Sequence, residues 1–246
     1  MARERKYIDT MLFRLPSRCT VCHTWPSSPL CDACVARFTQ VQPRCLRCAL
    51  PLTGSATVCG ACLLDTPPLD ACYAAVPYSY PWSDLITNFK FRQEVGLASQ
   101  LAQVMRSTPW IEPALDKVNW IIPMPLSDRR LKDRGYNQAW ELAKHLVGRH
   151  ARQKLRADLL LRVADTSPQP GLAREARQQN VQQAFAVNPE LAQSIASSRI
   201  ALIDDVMTSG ASLFSAAATL RRAGAAHITG LVFARTDFSE SPHNQD

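Results

Sequence analysis

Eight of the nine cysteines in this 246-residue chain fall into four Cys-x-x-Cys pairs. Two such pairs can present four thiolates to one Zn²⁺ at about 2.3 Å, in the closed tetrahedron of a structural site. A segment this short buries too little apolar surface to fold alone, and bound zinc can supply roughly 10–16 kcal/mol of folding energy. The spacing therefore predicts two structural zinc ions with no open position for catalysis. The predicted ligands are Cys19, Cys22, Cys31, Cys34, Cys45, Cys48, Cys59 and Cys62.

The spacing leaves open which pairs share an ion. Consecutive pairs or alternate pairs could each complete a tetrahedron, and both arrangements are sterically reasonable; we favour consecutive pairing. His23 adjoins a ligand and could replace a cysteine, but with eight cysteines available we expect it to be an exposed neighbour. Cys72, the ninth cysteine, lies in an apolar stretch and is predicted to be a small core residue.

The composition is that of a globular protein, with 46% hydrophobic residues. Charged residues interrupt every apolar stretch before the eighteen or so positions that a membrane span needs, and no apolar stretch typical of a secretion signal follows Met1–Lys6. Without an export signal, metal binding explains the cysteine pairs better than disulfide bonds do. We therefore expect a cytoplasmic protein without membrane insertion.

From Leu69 onward, strand-like apolar runs alternate with helical patterns, which is typical of an α/β fold with a parallel sheet flanked by helices. The predicted strands are 71–78, 120–124, 159–163, 199–203 and 228–234, and the predicted helices are 82–92, 95–105 and 138–149. A helix is also predicted over 7–15. We expect an N-terminal helix and cysteine module over 1–66, the α/β domain over 67–238 and a C-terminal tail over 239–246.

A string with two acids and a hydroxyl-rich turn follows the fourth predicted strand. Asp204 and Asp205 come at its carboxyl end, where open α/β sheets bind ligands, and they are suited to neutral hydroxyls such as those of ribose. The turn after them leads into a predicted helix, whose free N–H groups and dipole favour a phosphate. Ribose 5-phosphate carries both groups. The residues predicted to hold its phosphate are Thr208, Ser209, Gly210, Ala211 and Ser212.

The complete string, a hydrophobic strand, paired acids, two apolar residues and Thr-Ser-Gly-x-Ser, resembles the signature of type I phosphoribosyltransferases. Together with the preceding cysteine pairs, it resembles the ComF family, also called GntX, which combines a double zinc ribbon with a type I phosphoribosyltransferase domain. Further stretches that carry the resemblance are Phe89-Lys90-Phe91, Pro123-Met124-Pro125, Arg134-Gly135-Tyr136-Asn137-Gln138 and residues 166–185.

The resemblance implies a role for each part of the site. Asp204 and Asp205 would bind the ribose hydroxyls of 5-phosphoribosyl pyrophosphate as the catalytic acid pair, and Mg²⁺ would bridge its pyrophosphate. The loop that begins at Pro123 would contact the pyrophosphate. Arginine forks bind phosphate oxygens in pairs, so nearby arginines would hold the remaining charge, and residues 166–180 would form a lid. The predicted arginines are Arg129, Arg130 and Arg134.

The resemblance also associates the chain with DNA uptake and the use of DNA as a nutrient. We consider three functions: a phosphoribosyltransferase with an unknown acceptor, a competence protein that binds single-stranded DNA, and a sensor of phosphoribosyl pyrophosphate without turnover. The second would use the basic segment Ser127–Arg156 and act with other competence proteins.

Overall fold

The computed structural model of the chain describes residues 17–164 and 184–237. The predicted helix over 7–15, the predicted lid over 166–180 and the predicted tail over 239–246 lie outside these residues. The chain divides into two compact units, Met1–Phe38 and Thr39–Asp246. The two groups of cysteines that the sequence analysis placed in one module therefore lie in different compact units.

In the smaller unit, four cysteines converge. Their sulfur atoms all lie within 4.8 Å of one another, and we call this group the first cluster. Two Sγ–Sγ distances are 3.6 Å, between Cys22 and Cys31, and 3.9 Å, between Cys19 and Cys34. His23 is exposed and does not belong to the group, as predicted.

Within its described residues, the larger unit is built on a parallel sheet of four strands. The strands of the described residues are β1 Ala71–Pro77, β2 Trp120–Pro123, β3 Leu160–Arg162, β4 Phe185–Val187, β5 Arg199–Met207 and β6 His227–Arg235. The parallel sheet has the order β1-β6-β5-β2, which confirms the predicted α/β class. The segment 159–163 was wrongly assigned to this sheet, because β3 pairs antiparallel with β4. Only one side of β3 is buried, with Leu160 inside and Leu161 exposed, whereas a central parallel strand is covered on both faces.

Helices flank the sheet and position its loops. The described α-helices are α1 Asp32–Phe38, α2 Gly60–Leu64, α3 Trp82–Phe91, α4 Leu97–Ser107, α5 Ile111–Asp116, α6 Asp128–Arg134, α7 Gln138–Leu146 and α8 Ala211–Arg222. Short 3-10 helices span Arg149–Lys154 and Pro189–Ser194. The Asn137 side chain caps α7 by accepting a hydrogen bond from the Trp140 backbone N–H, and its amide donates to the Met124 carbonyl at 3.0 Å. One residue thus ties the start of α7 to the loop after β2.

The pairing of β5 with β6 forms the centre of the sheet. It runs from Arg199 opposite His227 to Met207 opposite Arg235. In the middle of β6, a Cβ atom at Gly230 would lie 2.8 Å from the Leu213 side chain, so the glycine allows α8 to approach the sheet closely. Within the parts of the chain that the structure describes, we find no helix with the length and apolar content needed to cross a bilayer.

A second group of cysteines lies inside the core of the larger unit. We call Cys45, Cys48, Cys59 and Cys62 the second cluster; their sulfur atoms also lie within 4.8 Å of one another, which confirms consecutive pairing. All four are buried and pack in one hydrophobic core with Leu69, Cys72 and Met207. Cys72 is 1% exposed, as expected of a core residue, and its backbone N–H donates to the Leu46 carbonyl at 2.8 Å. The second cluster is therefore part of the fold of the sheet domain.

We expect the two clusters to differ in their effect on the sheet domain. Cys62→Ser removes one ligand of the second cluster, in the core of the larger unit, and should cost the chain one zinc ion. Because zinc-binding energy is folding energy, the midpoint of the larger unit's thermal unfolding should fall by about 10 °C. The measurement is near-ultraviolet circular dichroism, to which the buried Trp82 contributes. The matched variant Cys22→Ser should also lose one zinc per chain but leave this transition unchanged. Equal shifts in both variants would contradict the prediction.

Candidate functional site

A cleft of about 270 Å³ lies at the carboxyl edge of the parallel sheet, where β2 and β5 end. Three elements line it: the loop Met124–Leu126 after β2, the end of β5, and residues 208–212, which we call the 208–212 loop. Side chains from α3, α6, α7 and β3 complete its walls. The structure thus brings the predicted acids and the predicted phosphate-binding turn together in one concave site.

The two predicted acids form the floor. β5 continues to Met207, four residues beyond the predicted end, so Asp204 and Asp205 lie within the strand instead of after it. The Asp204 carboxylate accepts a hydrogen bond from the Asp205 backbone N–H at 2.9 Å, and Asp205 Oδ1 lies 3.1 Å from Lys90 Nζ. The second oxygen of Asp205 is buried and, among the described residues, has no hydrogen-bond partner. A buried carboxylate oxygen in this state is suited to accept a hydrogen bond from a ligand hydroxyl.

The surroundings of Asp204 alter its charge. Burial raises the pKa of Asp204 to about 7, and the adjacent carboxylate of Asp205 adds to the rise, while Lys90 opposes it. A neutral carboxyl group near pH 7 can both donate and accept hydrogen bonds. The floor therefore offers one carboxylate paired with a lysine and one carboxyl group that changes charge near neutral pH.

The backbone of the 208–212 loop depends on a glycine. Gly210 has φ +83°, and a Cβ atom there would lie 2.5 Å from Met207 Cε and 2.8 Å from the Phe214 ring. Any side chain would be strained by the left-handed backbone and would collide with these groups. The loop leads directly into α8, a helix of twelve residues, and Thr208 and Ser209 are exposed at its start. The hydroxyls of Thr208 and Ser209 and the positive end of the α8 dipole are therefore available to an anion in the cleft, and the Ala211 N–H donates to Ser209 Oγ at 3.4 Å.

Basic side chains surround the acidic floor. Lys90, Arg130, Arg134 and Arg162 all line the cleft. Arg134 donates a hydrogen bond to Gln138 Oε1 at 2.9 Å, whereas Gln138 Nε2 is buried and has no partner in the described part of the chain. Cations above an acid pair suit a ligand that carries both hydroxyl and phosphate groups.

Two of the predicted site residues lie outside this cleft. Pro123 is buried as the last residue of β2, and the three residues after it form the wall. Arg129 is exposed on α6 and is absent from the lining. Three residues that line the cleft were missed by the sequence analysis: Lys90, Gln138 and Arg162. The first two lie in stretches that carry the family resemblance, which was the available signal, whereas Arg162 belongs to the strand that was assigned to the wrong sheet.

The cysteine clusters have the geometry that zinc requires. A tetrahedron with Zn–S distances of about 2.3 Å has sulfur atoms about 3.8 Å apart, and the Cys48–Cys59 Sγ distance is 3.6 Å. Burial raises the pKa of Cys45, but backbone N–H groups led by that of Cys59 outweigh it and lower this pKa to about 7. The donor set therefore fits a structural zinc ion at each cluster and leaves no coordination position for a substrate.

The raised pKa of Asp204 predicts a specific pH dependence of stability. Because an aspartate in the unfolded chain ionises near its ordinary pKa of 3.8, the folded protein should lose stability as the pH rises from about 4 to about 7. The upper bound of this loss is about 4 kcal/mol. Asp204→Asn has no buried carboxyl group to ionise at this position, so the variant should be more stable than the wild type at pH 8. The difference between their free energies of unfolding should become smaller towards pH 4. Urea denaturation of the ligand-free protein at both pH values measures this difference.

Asp70→Asn is a control for which we expect the opposite effect on stability at pH 8. Burial raises the pKa of Asp70, but the Ile228 backbone N–H and Arg221 outweigh it and hold this pKa below its usual range. Its carboxylate therefore stabilises the fold above the unfolded pKa, and the variant should be less stable than the wild type at pH 8. A loss of stability in Asp204→Asn at pH 8 would show that the floor carboxylate stabilises the ligand-free fold.

Known proteins resemble this chain both in its cysteine-rich N-terminal segment and over most of its length. Residues 11–63 match the family model of the double zinc ribbon domain. Competence protein F of Haemophilus influenzae is 31% identical over 81% of this chain and 87% of its own length. DNA utilization protein YhgH of Escherichia coli K12 is 28% identical over 84% of this chain and 90% of its own length.

Among solved structures, the glutamine phosphoribosylpyrophosphate amidotransferase of B. subtilis, complexed with ADP and GMP, is 17% identical. It covers 56% of this chain and 25% of its own length with a TM-score of 0.33, which is too low to carry an argument about the fold. The sequence comparison is decisive by itself. With 31% identity across most of both proteins, the chain belongs to the family of competence protein F, the ComF family.

Proposed function

We propose that the protein binds 5-phosphoribosyl pyrophosphate together with Mg²⁺ in the cleft and acts as a phosphoribosyltransferase-type protein in DNA uptake or DNA use. The observation that carries the proposal is a buried oxygen of Asp205, in the same cleft as the 208–212 loop, that has no hydrogen-bond partner within residues 17–164 and 184–237. An oxygen that can accept from a hydroxyl and a turn that can bind an anion line the same cleft, as a ribose 5-phosphate requires.

The acids would hold the ribose. Asp205 keeps one oxygen for Lys90 and has a second available for a ribose hydroxyl, and Asp204 would bind the adjacent hydroxyl. A carboxylate here would repel a phosphate, so this end of the ligand must be the neutral sugar face. The 5-phosphate would then lie against the amides and hydroxyls of the 208–212 loop, at the start of α8.

The pyrophosphate would occupy the basic side of the cleft. Arg130 and Arg134 line the cleft and would hold it, because guanidinium groups bind phosphate oxygens in pairs. Mg²⁺ binds oxygen ligands and usually reaches such sites on substrate phosphates with several waters retained, so it would enter with the pyrophosphate. When bound, the ion would stabilise the charge of the leaving pyrophosphate.

The chemistry suited to this arrangement is transfer of the phosphoribosyl group. As the bond from C1 to pyrophosphate breaks, positive charge develops on the sugar, next to two acids, and negative charge develops on the leaving group, next to the cations. The names of the relatives, a competence protein and a DNA utilization protein, support a role in DNA metabolism. The acceptor would be a nucleophile that enters on the open side of the sugar.

Ligand binding tests the proposal. Isothermal titration of the zinc-loaded protein with 5-phosphoribosyl pyrophosphate and Mg²⁺ should show saturable binding. Gly210→Ala should abolish it, because the added methyl group would displace Met207 and the loop. Asp205→Asn should weaken binding about 10-fold or more, since hydrogen bonds to charged groups are worth about 1.5–3 kcal/mol.

Two basic residues of α6 give a matched control. Arg130→Ala, from the cleft wall, should weaken binding, whereas the exposed Lys132→Ala should not. Release of pyrophosphate in the presence of candidate bases then distinguishes a transferase from a sensor. Equal affinity in wild type, Gly210→Ala and Asp205→Asn would exclude this cleft as the binding site.

A second candidate function, binding of single-stranded DNA, is favoured by an exposed aromatic ring beside the cleft. Phe91 is 67% exposed, and the Arg134 guanidinium lies 5.4 Å from its ring centre. Exposed basic residues on α6 and on the 3-10 helix after α7, including Arg129, Lys132 and Arg152, could contact a phosphate backbone. Aromatic rings that stack on bases, beside basic residues, are typical of proteins that bind single strands.

This candidate predicts salt-dependent binding of an oligonucleotide. The affinity for a labelled thymidine oligomer should fall with salt, and the log-log slope should become shallower when Arg129, Arg130 and Arg134 are changed to Ala. Phe91→Ala should weaken binding about 10-fold through lost stacking. Leu64→Ala, at another exposed apolar residue, is the control and should have no effect. A salt-independent affinity would exclude this function.

A further inference from the structure

One buried arginine joins the second cluster to the 208–212 loop. Arg235, the last residue of β6, is 1% exposed. Its Nε donates a hydrogen bond to the Cys48 carbonyl at 2.9 Å. Its Nη1 shares its two N–H groups among the carbonyls of Met207, at 3.1 Å, of Thr236, at 2.7 Å, and of Thr208. A single guanidinium therefore holds the turn of a predicted zinc ligand and the first residue of the loop at the same time.

The position of the Cys48 carbonyl depends on the cluster. Cys45 and Cys48 belong to one tight turn, closed by a hydrogen bond from the Ala49 N–H to the Cys45 carbonyl at 2.8 Å, and both direct their sulfurs into the cluster. A zinc ion fixes these sulfurs at the tetrahedral separation, whereas without metal that constraint on the turn is lost. A bound zinc ion would therefore add a constraint to the turn that carries this carbonyl, beyond the backbone hydrogen bonds that already close it.

The other end of the connection is sensitive to small displacements. Met207 packs against Gly210, where its Cε lies 2.5 Å from the position of a Cβ atom, and Cys72 Sγ lies 3.7 Å from Met207 Sδ. A shift of the end of β5 would therefore move the glycine on which the 208–212 loop depends. Arg235 fixes the end of β5 through the Met207 and Thr208 carbonyls.

The negative charge of a zinc-loaded cluster would also favour the position of the Arg235 guanidinium. Four thiolates and one Zn²⁺ leave roughly two negative charges on a loaded cluster. A buried guanidinium hydrogen-bonded to the turn of that cluster is stabilised by this charge, because Coulomb interactions are strong in the protein interior.

We propose that Arg235 is a positioning residue that couples zinc occupancy of the second cluster to the affinity of the 208–212 loop for a sugar phosphate. The inference rests on the proposed function of the cleft. Coupling of this kind is reciprocal: if zinc strengthens ligand binding, the ligand must strengthen zinc binding by the same factor. The second cluster would then regulate the site in addition to stabilising the fold.

The test measures the coupling and not only activity. Zinc transfer from the full-length, loaded protein to a chromogenic chelator is followed with and without 5-phosphoribosyl pyrophosphate and Mg²⁺. A Cys31→Ser background, which disrupts the first cluster, assigns the signal to the second cluster. In this background the ligand should slow zinc release by about fivefold or more, the lower end of typical allosteric coupling.

Two variants identify the residue that carries the coupling. In Arg235→Lys the charge remains, but one ammonium on a shorter stem cannot reach the Cys48 and Thr208 carbonyls together, so zinc release should no longer respond to the ligand. Arg47→Lys is the matched control: Arg47 donates to the Leu69 and Asp70 carbonyls, and the ligand effect should persist. Circular dichroism and zinc content check that both variants fold; if Arg235→Lys does not, Arg235→Gln is measured instead.

The outcomes separate the two proposals. If the ligand binds the loaded wild type but leaves zinc release unchanged, the coupling is wrong and the proposed function stands. A ligand effect of wild-type size in Arg235→Lys or Arg235→Gln would show that another contact carries the coupling. If the wild type binds no ligand by titration, the proposed function and the coupling are both overturned.

Discussion

The pairing of β5 with β6 is the interaction on which the rest of the larger unit depends. The two strands are joined along nearly their whole length, from Arg199 opposite His227 to Met207 opposite Arg235, and their interior residues are almost all buried. This pairing places the two acids near the carboxyl end of β5 and the arginine beside the turn that follows them. A shift in register would reverse the side of the sheet to which each acid points. Both the cleft floor and its support therefore depend on a single register.

The second cluster has a different place in the fold from the one that its sequence indicates. Viewed as Cys-x-x-Cys pairs, it looks like half of a separate module. In the structure its sulfurs share a core with Leu69, Cys72 and Met207, and its turn accepts hydrogen bonds from β1 and β6. Zinc binding at the second cluster would therefore stabilise the sheet domain itself, in a core that includes Met207 of the cleft lining. The metal site has no open coordination position, but Arg235 connects it physically to the ligand site through the Cys48 and Thr208 carbonyls.

The cleft separates charge in a way that suits one class of ligand. Its floor holds the carboxyl groups of Asp204 and Asp205, and one Asp205 oxygen has no hydrogen-bond partner among the described residues; its walls hold Lys90, Arg130, Arg134 and Arg162. The Lys90–Asp205 ion pair keeps one oxygen occupied and leaves the other available. A purely anionic ligand would be repelled by the floor, and a neutral sugar would gain nothing from the positive charge of the walls. A phosphorylated sugar satisfies both.

The sequence by itself determined the candidate zinc ligands, the α/β class and the acid-and-turn string, because each depends on local spacing: thiolates separated by two residues, alternating apolar periods, and paired acids followed by a hydroxyl-rich turn. It also placed five of the six described strands and the helices α3, α4 and α7 within a few residues, but it gave no bounds for the other five described α-helices. Tertiary structure alone decided which sheet holds residues 160–162, that Lys90 pairs with Asp205, that Arg129 lies outside the cleft, and that Arg235 bridges Cys48 and Thr208. These contacts join residues up to 187 positions apart, and only the packing of the folded chain selects among the many partners that local pattern allows.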